Sequence, residues 1–124
     1  MPHIMRGGIP LPEEVFIISD LHLGGAYPTK AGERGFRINT HADDLIHFLS
    51  EVRERAAATG RRTELVINGD FVDFLAEGGP DGTDWRAFIE DEQEAVARLD
   101  AIVARDAGVF DAIASLLDSR VLVT

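Results

Sequence analysis

The chain has 124 residues, 45% of them hydrophobic, which is enough for one modest domain and too few for two. Its formal charge of -10, from 22 acidic against 12 basic residues, argues against a sequence-independent nucleic-acid binder, whose affinity rests on Lys and Arg meeting phosphates. Cysteine is absent, so disulfides, thiolate zinc sites and cysteine nucleophiles are excluded, and any metal must be held by oxygen and imidazole.

No apolar run approaches the roughly 18 to 20 residues that span a bilayer, and residues 1–12 lack the long apolar core of a signal peptide. The expectation is a cytoplasmic protein with no sign of membrane binding.

In chain order, Val15-Phe16-Ile17-Ile18-Ser19 is a continuous, β-branched apolar run, which predicts a strand buried on both faces. It delivers Asp20 at its C-terminal end. Gly24-Gly25-Ala26-Tyr27-Pro28-Thr29-Lys30-Ala31-Gly32 has no regular period and predicts a loop running to about Ile38. A helix is expected from Thr40 or His41 to about Thr59. Thr40 is its cap, Asp43 suits its first turn, Leu45, Phe48, Leu49, Val52 and Ala56 form one stripe, and Gly60 ends it.

Glu64-Leu65-Val66-Ile67-Asn68 predicts a second strand, so the order of elements implies a parallel βαβ crossover with Asp20 and Asp70 at the same sheet edge. Gly78-Gly79-Pro80-Asp81-Gly82 marks a turn. Asp84 then caps a long amphipathic helix that carries Trp85, Phe88, Ile89, Val96, Leu99 and Val103 toward a core. Phe110, Ile113, Ala114 and Leu117 extend the helical pattern after Gly108, and Val121-Leu122-Val123-Thr124 predicts a third buried strand.

Open parallel sheets bind ligands beyond the carboxyl ends of their strands, which is where Asp20, His22, Asp70 and Asp73 fall. Asp and His together suit Zn, Mn or Fe, and their two-residue spacing lets Asp20 and His22 turn toward one ion. Asp70 arrives from the neighbouring strand, and Gly69 lets its backbone approach closely. His41 and His47 are expected to be solvated or partly packed, and His3 to lie in the terminus. Lys30, Arg34 and Arg37 follow on the loop; the expectation is solvated charge rather than a fork onto a substrate phosphate, and local packing for Tyr27 and Phe36.

Ile17-Ile18-Ser19-Asp20-Leu21-His22-Leu23-Gly24 and Val66-Ile67-Asn68-Gly69-Asp70-Phe71-Val72-Asp73 resemble the opening blocks of calcineurin-like metallophosphoesterases, over about residues 15–74. The resemblance implies an α/β fold: the N-terminal portion of a four-layer αββα sandwich with parallel βαβ units. It implies Asp20 and His22 on a first divalent metal and Asp70 bridging to a second, with Mn, Zn or Fe as the ions. Asp73 then orients the ligands or hydrogen-bonds their neighbours. The implied activity is hydrolysis of a phosphate monoester, diester or pyrophosphate by a hydroxide held between the two metals. The phosphorylated substrate stays open, although Asp20-Leu21-His22-Leu23 also resembles the UDP-diacylglucosamine pyrophosphatase branch.

The family's third block, Gly-Asn-His and an acidic residue, follows a buried strand such as residues 120–124. Residues 1–124 are therefore expected to be the N-terminal part of one phosphoesterase domain, truncated before that block, with weak, incomplete metal binding and little or no turnover of their own. An alternative from another class is a non-catalytic protein-interaction module on the same fold. Aspartyl-phosphate phosphatases are set aside because His22 stands where they need a second Asp.

Overall fold

In the computed structural model, which describes residues 5–25, 37–76 and 88–124, Gly7 and Gly8 take φ of 59° and 87°. Two successive positive φ angles make the tight turn that matches strand twist, and β1 (Met5–Arg6) pairs antiparallel with β2 (Ile9–Pro10) across it. The sequence expectation lacks this hairpin, although Gly7-Gly8 carries its turn signal.

The expected βαβ unit is present as β3 (Glu14–Ser19), α1 (Ala42–Thr59) and β4 (Thr63–Asn68), with β3 and β4 parallel. Their register runs from Glu14 opposite Thr63 to Ser19 opposite Asn68, so both strands end level and release Asp20 and Asp70 at one edge. The expected α1 stripe faces inward, with Leu49 and Val52 buried and Phe48 edge-on to Phe16 of β3. Gly60 ends the helix in a left-handed conformation, φ 63°, and donates its N–H to Ala56 O. Thr40 is not the cap. His41 occupies that position without a side-chain cap bond, its own N–H goes to Asn39 Oδ1, and Asp43 and Asp44 supply the acidic first turn.

The expectation that residues 15–19 are buried on both faces is corrected. Phe16, Ile18, Leu65, Ile67 and Val123 pack into the core with α1, whereas Val15 and Ile17 on the opposite face are 45% and 69% exposed. An uninterrupted apolar run carries no alternation to reveal that, among the described residues, helices cover one face only. The third strand, β5 (Leu122–Val123), pairs parallel with β4 to give the order β3-β4-β5, but Leu122 is exposed and Val123 half-buried rather than enclosed.

The second helical region departs further. α2 (Glu92–Arg105) starts at Asp91, whose Oδ1 accepts the Glu94 N–H at 2.8 Å. Asp84 and Trp85 lie outside the described residues. Phe88 precedes the helix and is exposed, as are Val96, Leu99 and Val103, while Ile102 and Arg98 are buried, Arg98 in an ion pair with Glu94. The stripe read toward the core is thus the outward face, because packing selects the face of Ile102. α3 (Ala107–Asp118) begins before Gly108 and buries Val109 and Leu116, with Phe110 and Ile113 half-buried and Ala114 and Leu117 outside. Gly108 admits Ile46 of α1, whose Cδ1 would lie 2.8 Å from an added Cβ. Among the described residues, no helix is long and apolar enough to cross a membrane.

Candidate metal centre

Beyond the ends of β3 and β4 the two motif segments continue side by side. Asp20 N–H donates to Asn68 O at 3.0 Å, His22 N–H to Asp70 O at 3.1 Å, and Leu23 N–H to Phe71 O at 2.9 Å; Asp73 N–H returns to Leu23 O at 2.8 Å. Leu21 and Leu23 are buried beneath this rim, which leaves Asp20 and His22 at its edge. Asp20 and His22 both take positive φ, 53° and 46°. Such conformations cost non-glycine residues on the order of 1 kcal/mol or more each and persist where the surroundings over-determine them, as they do at functional sites.

Gly69 is required by the same geometry. Its φ is 85°, and a Cβ there would run into Asp20 Oδ1. The glycine before Asp70 therefore makes room for the carboxylate of Asp20 as well as for the backbone turn.

Asp20, His22 and Asp70 form the one group of three His, Asp or Glu ligand atoms that the described residues bring together, all within 4.8 Å of one another. His22 Nε2 lies 3.9 Å from Asp70 Oδ2. Two donors on one ion lie no more than about 4.2 Å apart when each bond is about 2.1 Å, so that pair already fits one ion and the wider spacings close by carboxylate rotation. The side chain of Asp70 is 75% exposed and that of His22 26%, so the cluster sits open on the sheet edge.

His22 Nδ1 is buried and makes no hydrogen bond; Asp73 Oδ2 stands 3.4 Å away, a close approach that falls short of one. Asp73 thus faces the far nitrogen of the ring while Nε2 is turned to Asp70, and a hydrogen bond from Nδ1 to that carboxylate would leave the Nε2 lone pair for a metal. A donor set of one imidazole and two carboxylates fits a divalent cation.

The other expected polar residues separate clearly. His41 and His47 are exposed, their rings beside the carboxylates of Asp44 and Glu51, and do not join the cluster. His3, Tyr27, Lys30, Arg34 and Phe36 lie outside the described residues. Arg37 is not a solvated loop charge: its side chain is 14% exposed and Nη2 donates to Asp106 Oδ1 at 2.5 Å. Asp106 is the residue sequence reasoning missed. Its carboxylate is buried between α2 and α3 and its Oδ2 accepts Gly24 N–H at 3.0 Å, a partner 82 positions away that no local period could announce.

No family model, curated protein or solved structure matches the chain.

Proposed function

We propose that Asp20, His22 and Asp70 bind a divalent metal, Mn, Zn or Fe, and that they are one half of a calcineurin-like phosphoesterase centre. The observation that carries this reading is the convergence of the three ligand atoms, from two adjacent parallel strand ends, around a point open to solvent. Bound divalent metal supplies a Lewis acid for phosphoryl oxygens and an activated water at neutral pH.

The chain's own residues then divide the work. Asp20 and His22 would hold the ion together with Asp70 from the neighbouring strand, and Asp73, 3.4 Å from His22 Nδ1, would steady the ring. Three ligands do not close a two-metal centre, so a second ion needs further donors. The bare apolar face of Val15, Ile17 and Leu122 supports the finer fold reading, because the second sheet of an αββα sandwich would pack there.

Calorimetric titration with zinc and manganese, followed by assay of p-nitrophenyl phosphate and its bis-ester, tests the proposal. Weak saturable binding that Asp70→Asn weakens further is expected, with little or no turnover by this chain alone. Robust turnover by this chain alone would contradict the half-centre; unchanged binding in Asp70→Asn would contradict the site.

A further inference from the structure

We infer that Arg37 and Asp106 are positioning residues for the metal centre, forming a buried clamp that holds the His22 loop in its ligating conformation. The inference rests on the metal-site reading and adds to it a connection between the site and the elbow of α2 and α3.

Asp106 stands at the N-cap position of α3, where a carboxylate ordinarily accepts from the first helical N–H groups, yet it makes no such side-chain bond. Its two oxygens are turned to the loop instead, Oδ2 to Gly24 N–H and Oδ1 to Arg37 Nη2. Arg37 extends the grip: Nη1 donates to Gly25 O at 3.4 Å and Nε to Asn39 O at 3.2 Å, and Asn39 Nδ2 in turn donates to Leu21 O at 2.8 Å. The loop is thus held at Leu21, Gly24 and Gly25, on both sides of His22.

Gly24 completes the contact. At φ 120° it lies against Ile102 of α2 and the backbone oxygen of Asp73, each within 3.2 Å of where a Cβ would stand. One small region therefore joins the His22 loop, the Asp73 segment and the α2–α3 elbow. The left-handed backbone of His22 carries a cost for any residue with a Cβ, and this network supplies the over-determination that holds it. A charge-assisted bond in a buried setting is suited to the task, since its geometry is narrow and its loss is not replaced by water.

The test uses zinc alone as probe, on the whole chain, in Arg37→Met, Asp106→Asn and Arg37→Lys, which keeps the charge but not the planar fork. Zinc affinity and the zinc-induced ¹⁵N shift of the His22 imidazole are read beside the urea midpoint. Partners that orient a metal ligand typically contribute 10–100-fold to affinity, so a loss of about tenfold or more is expected in Arg37→Met and Asp106→Asn. A smaller His22 shift accompanies it, and Arg37→Lys is intermediate.

A merely structural clamp would lower the urea midpoint and leave the folded variants' affinity and His22 shift at wild-type values, which would overturn the inference. Should the two harsher variants fail to fold, Arg37→Lys decides by the same readings. Wild-type protein supplies an independent arm: coupling is reciprocal, so zinc must slow hydrogen exchange at the Gly24 amide, and unaltered exchange would refute the clamp. No His22 shift in wild type would instead remove the metal-site reading itself.

Discussion

Replacing Gly69 by alanine isolates the role of Asp20 more cleanly than removing Asp20 does. Gly60 and Gly69 both have positive φ, 63° and 85°, so alanine at either position loses about 1–2 kcal/mol to left-handed backbone strain. Around Gly60 no atom lies within 4 Å of the added Cβ; at Gly69 it strikes Asp20 Oδ1, with Asp20 Cγ at 3.2 Å. The Asp20 carboxylate must swing off the cluster. Urea unfolding followed by helix circular dichroism should show comparable losses for both variants. Zinc titration against a chromophoric chelator should show wild-type affinity for Gly60→Ala and at least a roughly tenfold loss, about 1.4 kcal/mol, for Gly69→Ala. Equal zinc affinity in the two variants would refute the placement of Asp20 as a ligand.

Leu65 is fully buried in the middle strand, so Leu65→Ala should cost about 2–5 kcal/mol in urea unfolding, whereas Ile17→Thr on the bare sheet face should stay within about 0.5 kcal/mol. Asp91→Ala removes the cap bond to Glu94 N–H and should cost about 1 kcal/mol, while His41→Ala, which removes no cap bond, should leave the urea midpoint nearly unchanged. Loss of the buried Asp106 carboxylate leaves Arg37 charged and unpaired in a poorly solvated position; Asp106→Ala should therefore cost about 3 kcal/mol or more, measurable as a reduced urea midpoint.

The βαβ unit was legible because its signals are local and mutually consistent. The α1 stripe, Gly60 as its stop and two apolar runs ending in acidic motifs suffice to place Asp20, His22 and Asp70 on one edge. What was not legible depends on contacts distant in sequence. Whether Val15 and Ile17 are covered is decided by the layers that pack on the sheet, and which stripe of α2 turns inward by Ile102 meeting Gly24. Arg37 read as loop charge because its partner, Asp106, sits 69 positions further on and looks in sequence like an ordinary helix boundary. The start of α2 at Asp91 was not legible because several acidic residues precede the helix and any of them makes an acceptable cap.

Whether an ion sits among Asp20, His22 and Asp70 is tested most directly by anomalous diffraction at the zinc edge from crystals grown with zinc. A peak within coordination distance of an Asp20 oxygen, His22 Nε2 and an Asp70 oxygen, about 2.0–2.2 Å from each, is the expected result. No peak at saturating zinc, or one held by other residues while this cluster stays empty, would contradict it.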